Sequence, residues 1–197
     1  MITIFKCLGV IAFSVSGALT AIKRKLDWFG IIVLGLTCAF GGGLIRDCFL
    51  NKEIPSVFEE WTYLLISLFV TVMIQIPSFK KRIDSLNYVL VVMDTIGLGL
   101  FSVIGARTVI AYGNIFYTVF IGTLTAVGGG VIADIFANQK PRIFVSDIYA
   151  SSCVIGIIVM SLLWKISNDM ATLIGAIIII VIRFIAVKYG LGSNKQE

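Results

Sequence analysis

Histidine is absent from this 197-residue sequence, and cysteine, proline and charged residues are scarce. Without histidine the chain lacks the commonest general base and the imidazole ligand of many metal sites. The four cysteines form no CxxC pair and lie within or at the ends of apolar stretches, which argues against a zinc site or a disulfide framework. We therefore expect a protein that is not an enzyme and that holds neither a metal nor a cofactor.

Charged residues make up only 14% of the chain, whereas 58% of its residues are hydrophobic. A soluble domain of this length cannot bury so much apolar surface. The net charge is +5, but Lys and Arg occur in short clusters between apolar stretches, which is typical of membrane topology and not of nucleic-acid binding. The composition predicts an all-α polytopic protein whose surroundings are the lipid bilayer.

Apolar stretches of about 20 residues, the length a helix needs to cross the hydrocarbon core, alternate with short breaks along the whole chain. They predict seven transmembrane helices, at 4–22, 28–50, 60–77, 86–106, 113–137, 144–165 and 169–189. Because the breaks are short, we expect these helices to form a compact bundle.

Basic residues are concentrated in alternate breaks. One side of the predicted membrane carries Lys23, Arg24, Lys25, Lys80, Lys81, Arg82, Lys140, Arg142, Lys188 and Lys195. The other side carries only Lys52, Arg107 and Lys165. The positive-inside rule then predicts a multi-pass protein of the cell (inner) membrane, with its N-terminus outside and its C-terminus in the cytoplasm.

Two strings of the first half recur in the second half in the same order. FSVSGA at 13–18 recurs as FSVIGA at 101–106, and GLTCAFGGGLIRD at 35–47 recurs as GTLTAVGGGVIAD at 122–134. A repeat of three spans must enter the membrane in the opposite sense in its second copy. We therefore predict a three-helix repeat at 1–85, an inverted copy at 86–166, and a seventh helix with a short cytoplasmic tail at 167–197.

Each repeat places three consecutive glycines within a predicted span. These are Gly41, Gly42 and Gly43 in span two and Gly128, Gly129 and Gly130 in span five. Glycine weakens a helix, so one interpretation is a break whose free carbonyl oxygens replace the hydration shell of a cation. The other is close helix packing, which needs a small residue at every fourth position. Three glycines in a row slightly favour the break.

Charged residues follow both triplets. Arg46 and Asp47 come one turn after the first, and we expect this pair to face the bundle interior, because an unpaired intramembrane charge costs about 2.5–3.5 kcal/mol. Asp134 occupies the matching place after the second triplet. It either lines a cation path, reaches a basic residue such as Lys140 or Arg142, or ends its helix in water.

Asp94 is a further acidic residue inside an apolar span, about two turns from the start of span four. It either faces the pathway or is neutralised by a partner. Lys6 lies at the matching position of span one, so the repeat has a charge of opposite sign at this point in its two copies.

The paired GGGxxRD-type motifs, the FSxxGA-like strings and the arrangement of three, three and one spans resemble the prokaryotic branch of the trimeric intracellular cation channel family. The resemblance covers nearly the whole chain. It implies a homotrimer in which each subunit has its own pore, lined by glycine-kinked spans two and five and permeable to potassium and, less selectively, sodium. Bacterial proteins of this double-repeat type are also labelled as glycine transporters.

The family motif carries over to Gly41, Gly42, Gly43, Arg46, Asp47, Gly128, Gly129, Gly130 and Asp134. Ala133 stands where the second motif has arginine, so the motif's Arg–Asp pair does not carry over to the second half. The leading hypothesis is a passive monovalent-cation channel, and the alternative is a secondary transporter of glycine or another small solute. A structural bundle without transport would have straight helices through both triplets and no water-filled cavity.

Overall fold

The computed structural model describes residues 1–76, 83–145 and 148–191, and within these ranges the chain forms helices and turns without any strand. The basic residues Lys80, Lys81, Arg82 and Lys195 lie outside the described residues. Nine α-helices occur within the described ranges: α1 (Ile2–Lys23), α2 (Trp28–Phe49), α3 (Ser56–Glu59), α4 (Trp61–Ile74), α5 (Ile83–Val109), α6 (Ile115–Phe136), α7 (Arg142–Val145), α8 (Ala150–Leu163) and α9 (Asn168–Tyr189).

Five helices, α1, α2, α5, α6 and α9, are long and apolar enough to cross a membrane. A helix of 22 residues is about 33 Å long, which exceeds the hydrocarbon thickness. Helices α4 and α8, the third long helix of each half, are also apolar but have only 14 residues each, or about 21 Å. The predicted spans 60–77 and 144–165 were therefore too long.

The shortening of α4 and α8 has local causes. Helix α4 ends at Ile74, three residues before Pro77, and the residue preceding a proline disfavours helical geometry. In the second half, α7 ends at Val145, inside the predicted span 144–165, and α8 begins only at Ala150.

The ends of α2 and α6 are built in the same way. Each helix is followed by an asparagine in the left-handed region, Asn51 with φ 51° and Asn138 with φ 50°. Asparagine tolerates this conformation better than other residues with a Cβ atom. A proline then precedes a four-residue helix in both cases, α3 after Pro55 and α7 after Pro141.

Helices α2 and α6 pack against each other, α1 packs on α2 and α5, and α9 packs on α8 and α5. Both α2 and α6 run without interruption through their glycine triplets. The expected break in the backbone is therefore wrong, and with it the expectation of carbonyl oxygens freed within the membrane.

The glycines instead allow the two helices to cross at backbone contact. A Cβ atom added at Gly42 would overlap the carbonyl oxygen of Thr125, and one added at Gly129 would overlap that of Cys38. Gly43 has no such neighbour, because the nearest atom to an added Cβ is Arg46 Nη2 at 3.9 Å. Close packing therefore explains the first two glycines of each triplet, whereas Gly43 and Gly130, on whose spacing from Ala39 and Ala126 the packing interpretation rests, lie outside the closest contact.

This packing predicts opposite effects for two neighbouring substitutions. Gly42→Ala should destabilise the protein by about 1–3 kcal/mol, because the new methyl group overpacks the crossing. Gly43→Ala is the matched control and should be neutral or stabilising by up to about 1 kcal/mol, since alanine is the better helix former. Thermal unfolding in detergent measures both, and equal melting temperatures for the two variants would contradict the crossing as the reason for Gly42.

Candidate functional site

The first polar cluster lies at the C-terminal end of α2. Asp47 is 1% exposed and accepts hydrogen bonds from Arg46 Nε at 2.7 Å and from the backbone N–H of Ser56 at 2.7 Å. Arg46 Nη2 also donates to Ser56 Oγ at 3.1 Å. The carboxylate thus neutralises the neighbouring guanidinium and fixes the start of α3.

A cavity of about 250 Å³, which we name the first cavity, opens beside this cluster. Its charged lining consists of three basic and three acidic residues, Lys6, Arg46, Lys52, Asp47, Glu59 and Glu60. They are paired, with Lys6 Nζ 2.7 Å from Glu60 Oε1 and Lys52 Nζ 3.0 Å from Glu59 Oε2. Gly43, the third glycine of the first triplet, also lines this cavity.

The second polar cluster lies at the C-terminal end of α6. Asp134 is 1% exposed and accepts from the Arg142 backbone N–H at 2.9 Å, from Arg142 Nε at 3.1 Å and from Arg142 Nη2 at 3.0 Å. Gln139 Nε2 donates to the same carboxylate at 2.6 Å. Three alternatives were open for Asp134. The structure confirms the contact with a basic residue, and that residue is Arg142.

The arginine missing at Ala133 is replaced from another position of the chain. Ala133 is fully buried and packs in an apolar cluster, whereas the guanidinium that faces Asp134 belongs to Arg142. Arg142 follows Pro141 as Ser56 follows Pro55 in the first half. The second half therefore has an ion pair, but its arginine is Arg142 and not the residue at position 133.

Arg142 joins two carboxylates at once. Its Nη1 atom lies 2.7 Å from Asp94 Oδ1 and 3.2 Å from Ser16 Oγ, while the rest of the guanidinium faces Asp134. Asp94 is 2% exposed and Ser16 is fully buried. Burial opposes the charge of Arg142, but the carboxylates of Asp94 and Asp134 raise its pKa above the ordinary value, so the guanidinium stays charged.

Arg142 also lines another cavity, of about 460 Å³, which we name the second cavity. Its lining among the described residues contains four basic residues and no acidic one, and consists of Thr20, Lys23, Arg24, Leu90, Gln139, Lys140, Arg142 and Val145. A wall with charge of one sign lowers the local concentration of ions of the same sign.

The two cavities share no lining residue in the described part of the chain. Along α1 they are separated by the stretch from Val10 to Thr20, which is about 15 Å of helix. Ser16 lies within this stretch, and Asp94 lies in the corresponding stretch of α5. Along α1 and α5, the buried contact of Ser16 with Asp94 therefore lies between the lining of the first cavity and that of the second, which includes Arg142.

The structure distributes the predicted site residues over three places. Gly41, Gly42, Gly128 and Gly129 lie in the crossing of α2 and α6, since added Cβ atoms there would meet the partner helix. Gly43, Arg46 and Asp47 lie at the first cavity. Gly130, Asp94 and Asp134 surround Arg142, with Gly130 so placed that an added Cβ would be 3.9 Å from Arg142 Nη2.

Sequence reasoning missed Ser16, Glu60 and the contact of Arg142 with Asp94. One signal was available, because Lys6 and Asp94 occupy matching positions in the two repeats and carry opposite charges. The structure gives each a partner of opposite sign, Glu60 for Lys6 and Arg142 for Asp94. Both partners come from the loop region between the second and third long helices of their half.

Comparisons with known proteins agree on one family. The sequence model described as Glycine transporter matches residues 3–76 and 91–165. The inner membrane protein YadS of Escherichia coli is 33% identical over 187 residues, which cover 93% of this chain and 90% of that protein.

Solved structures of cation channels have the same fold. A structure of the trimeric intracellular cation channel orthologue from Rhodobacter sphaeroides is 28% identical, with a TM-score of 0.89 over 96% of this chain and 98% of that one. Another, from a study of conductance through channels of this type, is 32% identical, with a TM-score of 0.85 over 99% of this chain and 97% of that one.

The shared guanidinium predicts a large cost for its removal. Arg142→Ala should destabilise the protein by about 3–5 kcal/mol, because it leaves two buried carboxylates without their partner. Adding Asp94→Asn should recover part of this loss, since one of the uncompensated charges is then gone. Chemical or thermal unfolding in detergent measures both changes.

The control is Lys52→Ala, which breaks a half-exposed ion pair with Glu59 and should cost at most about 1 kcal/mol. An Arg142→Ala variant as stable as Lys52→Ala would show that the buried pairs contribute little to the fold.

Proposed function

The chain belongs to the family described as Glycine transporter and to the prokaryotic branch of the trimeric intracellular cation channels, and we propose that it conducts monovalent cations across the cell membrane. The proposed permeant ions are potassium and, less selectively, sodium. The related solved structures, described as cation channels, support this proposal, as does the position of Asp94 within the protein.

The observation that carries the proposal is a buried carboxylate between two polar cavities. Asp94 lies where a cation passing from the first cavity to the second would lose its water, and Ser16 Oγ lies 3.4 Å from Asp94 Oδ1. A carboxylate and a hydroxyl are suitable oxygen ligands for a partly dehydrated cation. In this route side chains provide the ion contacts, since the backbone of α2 and α6 is continuous.

The proposed path follows from the positions of the cavities. It runs between α1 and α5 as well as along α2 and α6, which contribute Gly43 at the first cavity and Gly130 beside Arg142. This extends the expectation from the sequence, in which spans two and five alone line the pore. The glycines at the crossing hold the two helices together and lie away from the ions.

Arg142 closes this path in the conformation described. Its guanidinium occupies the position beside Asp94 that a permeant cation would take. Opening then requires the Arg142 guanidinium to leave Asp94, by a change of its side-chain conformation or by movement of α7. The basic lining of the second cavity further opposes cation entry while Arg142 is in place.

We further propose that the N-terminus is outside and the C-terminus is cytoplasmic, with the second cavity at the cytoplasmic end. The basic residues around that cavity support this orientation by the positive-inside rule. The proposed repeats, 1–85 and 86–166 with a seventh helix at 167–197, are supported by the two segments in which the family model matches. A homotrimer is proposed from the description of the Rhodobacter sphaeroides structure as trimeric.

A secondary transporter of glycine remains the second candidate, because of the family description and the charges of the first cavity. That cavity offers both basic and acidic groups, as a zwitterionic amino acid requires, in a volume of about 250 Å³. All six groups already have partners within the protein, which favours the channel. A bundle without transport is disfavoured by the two polar cavities, although the helices are continuous through both triplets as that hypothesis expects.

Electrical recording separates the two candidates. The purified protein in planar bilayers should give unitary potassium currents, and Asp94→Asn should reduce their amplitude several-fold because the acidic ligand is lost. Asp169→Asn is the matched control, since Asp169 pairs with Arg107 at an exposed position away from the path. Absence of unitary current together with saturable, competable glycine uptake into liposomes would reject the channel and support the transporter.

A further inference from the structure

Two phenylalanines occupy the same position in the repeated strings FSVSGA and FSVIGA. Phe13 of α1 and Phe101 of α5 stack with their ring centroids 5.3 Å apart and an angle of 2° between the ring planes. The sequence repeat therefore places one aromatic ring on each of two packed helices, and the structure brings the rings face to face.

Each ring lies over a glycine of the opposite helix. A Cβ atom at Gly97 of α5 would overlap the ring of Phe13, and a Cβ at Gly9 of α1 would be 2.9 Å from Phe101 Cε2. Gly9 and Gly97 also occupy matching positions in the two repeats. The pair and its two glycines form a reciprocal contact, and the missing methyl groups make room for rings that lie across the helix interface.

The aromatic pair separates the first cavity from Asp94. Phe101 lines the first cavity, and Phe13, which is only 2% exposed, lies on α1 between Val10, a residue that lines the cavity, and Ser16. One helical turn beyond Phe13 on α1 is Ser16, which contacts Asp94 and Arg142. A cation leaving the first cavity would meet the rings before it reached Asp94.

We propose that Phe13 and Phe101 form an apolar gate at the centre of the protein, in series with the ionic closure by Arg142. This inference rests on the proposed function as a channel. A constriction lined only by aromatic rings excludes water, and an ion cannot cross it without losing its hydration shell. The rings offer the ion no oxygen ligand in exchange, so the gate blocks ions of either charge.

The two closures act on different properties of the ion. Arg142 opposes a cation by its charge, whereas the aromatic pair opposes any hydrated ion by excluding water. Conduction requires both to open, and α1 and α5 must separate or rotate at their contact for the rings to part.

Accessibility of a buried thiol tests this gate directly. The four native cysteines are replaced by serine, Ser16→Cys is introduced, and Ag⁺, a monovalent cation that binds thiols, is applied to sealed vesicles from one side at a time. The extent of the Ag⁺ reaction is measured as the fraction of the introduced thiol that can no longer be alkylated afterwards. In the Phe101→Ala variant the reaction from the first-cavity side should be faster by at least about tenfold, because water and ions then pass the constriction.

The matched control is Phe5→Ala, which removes a ring of the same kind from α1, the helix that carries Phe13. Phe5 is 9% exposed, packs in an apolar cluster and does not line either cavity. In this control the Ag⁺ reaction from the first-cavity side should be as fast as in the protein that carries Ser16→Cys alone. The reaction from the second-cavity side should be unchanged in both phenylalanine variants. If Phe101→Ala does not fold, Phe101→Tyr keeps the ring, adds a hydroxyl that holds water, and should raise the rate in the same direction.

The outcomes separate this inference from the proposed function. An unchanged rate in a folded Phe101 variant overturns the gate, even where the wild-type protein carries potassium current. A faster rate without any unitary current supports the gate as a barrier to water and rejects the channel.

Discussion

Neutralisation of buried carboxylates is the constraint on which most of this structure depends. Asp94 and Asp134 lie inside a protein surrounded by lipid, where an unpaired charge is costly and a salt bridge tolerable only with good geometry. Arg142 satisfies both carboxylates with one guanidinium and a backbone N–H. Through this side chain α7 contacts Ser16 of α1, Asp94 of α5 and Asp134 of α6. Helix α8 follows it, beginning at Ala150, and is only 14 residues long.

The two halves neutralise their charged side chains with different residues. In the first half Asp47 is neutralised by its neighbour Arg46, and Lys6 by Glu60. In the second half Arg142 alone neutralises both Asp134 and Asp94, and Asp94 stands where the first half has Lys6. The consequence is electrostatic asymmetry: the first cavity has balanced charge, whereas the second is basic. Two halves that share sequence motifs thus present two chemically different cavities.

The sequence predicted most of the helix positions because apolar length and basic breaks are local signals. It also offered Arg142, eight residues away, as one of the possible partners of Asp134. It failed for the glycine triplets, since a break and a tight crossing differ only in what lies opposite each glycine, here the carbonyl oxygens of Thr125 and Cys38. The partner of Asp94 is 48 residues distant, and the stacked rings of Phe13 and Phe101 are 88 positions apart, so neither contact could be derived from local pattern.

The central claim is that the Arg142 guanidinium occupies the route of the permeant cation beside Asp94. Single-channel recording of Arg142→Gln beside the wild type, with a potassium chloride gradient across the bilayer, tests it most directly. Glutamine keeps a hydrogen-bond donor but removes the charge, so we expect a higher open probability and a reversal potential that stays close to that of potassium. An unchanged open probability, or a reversal potential that moves toward that of chloride, would contradict the account.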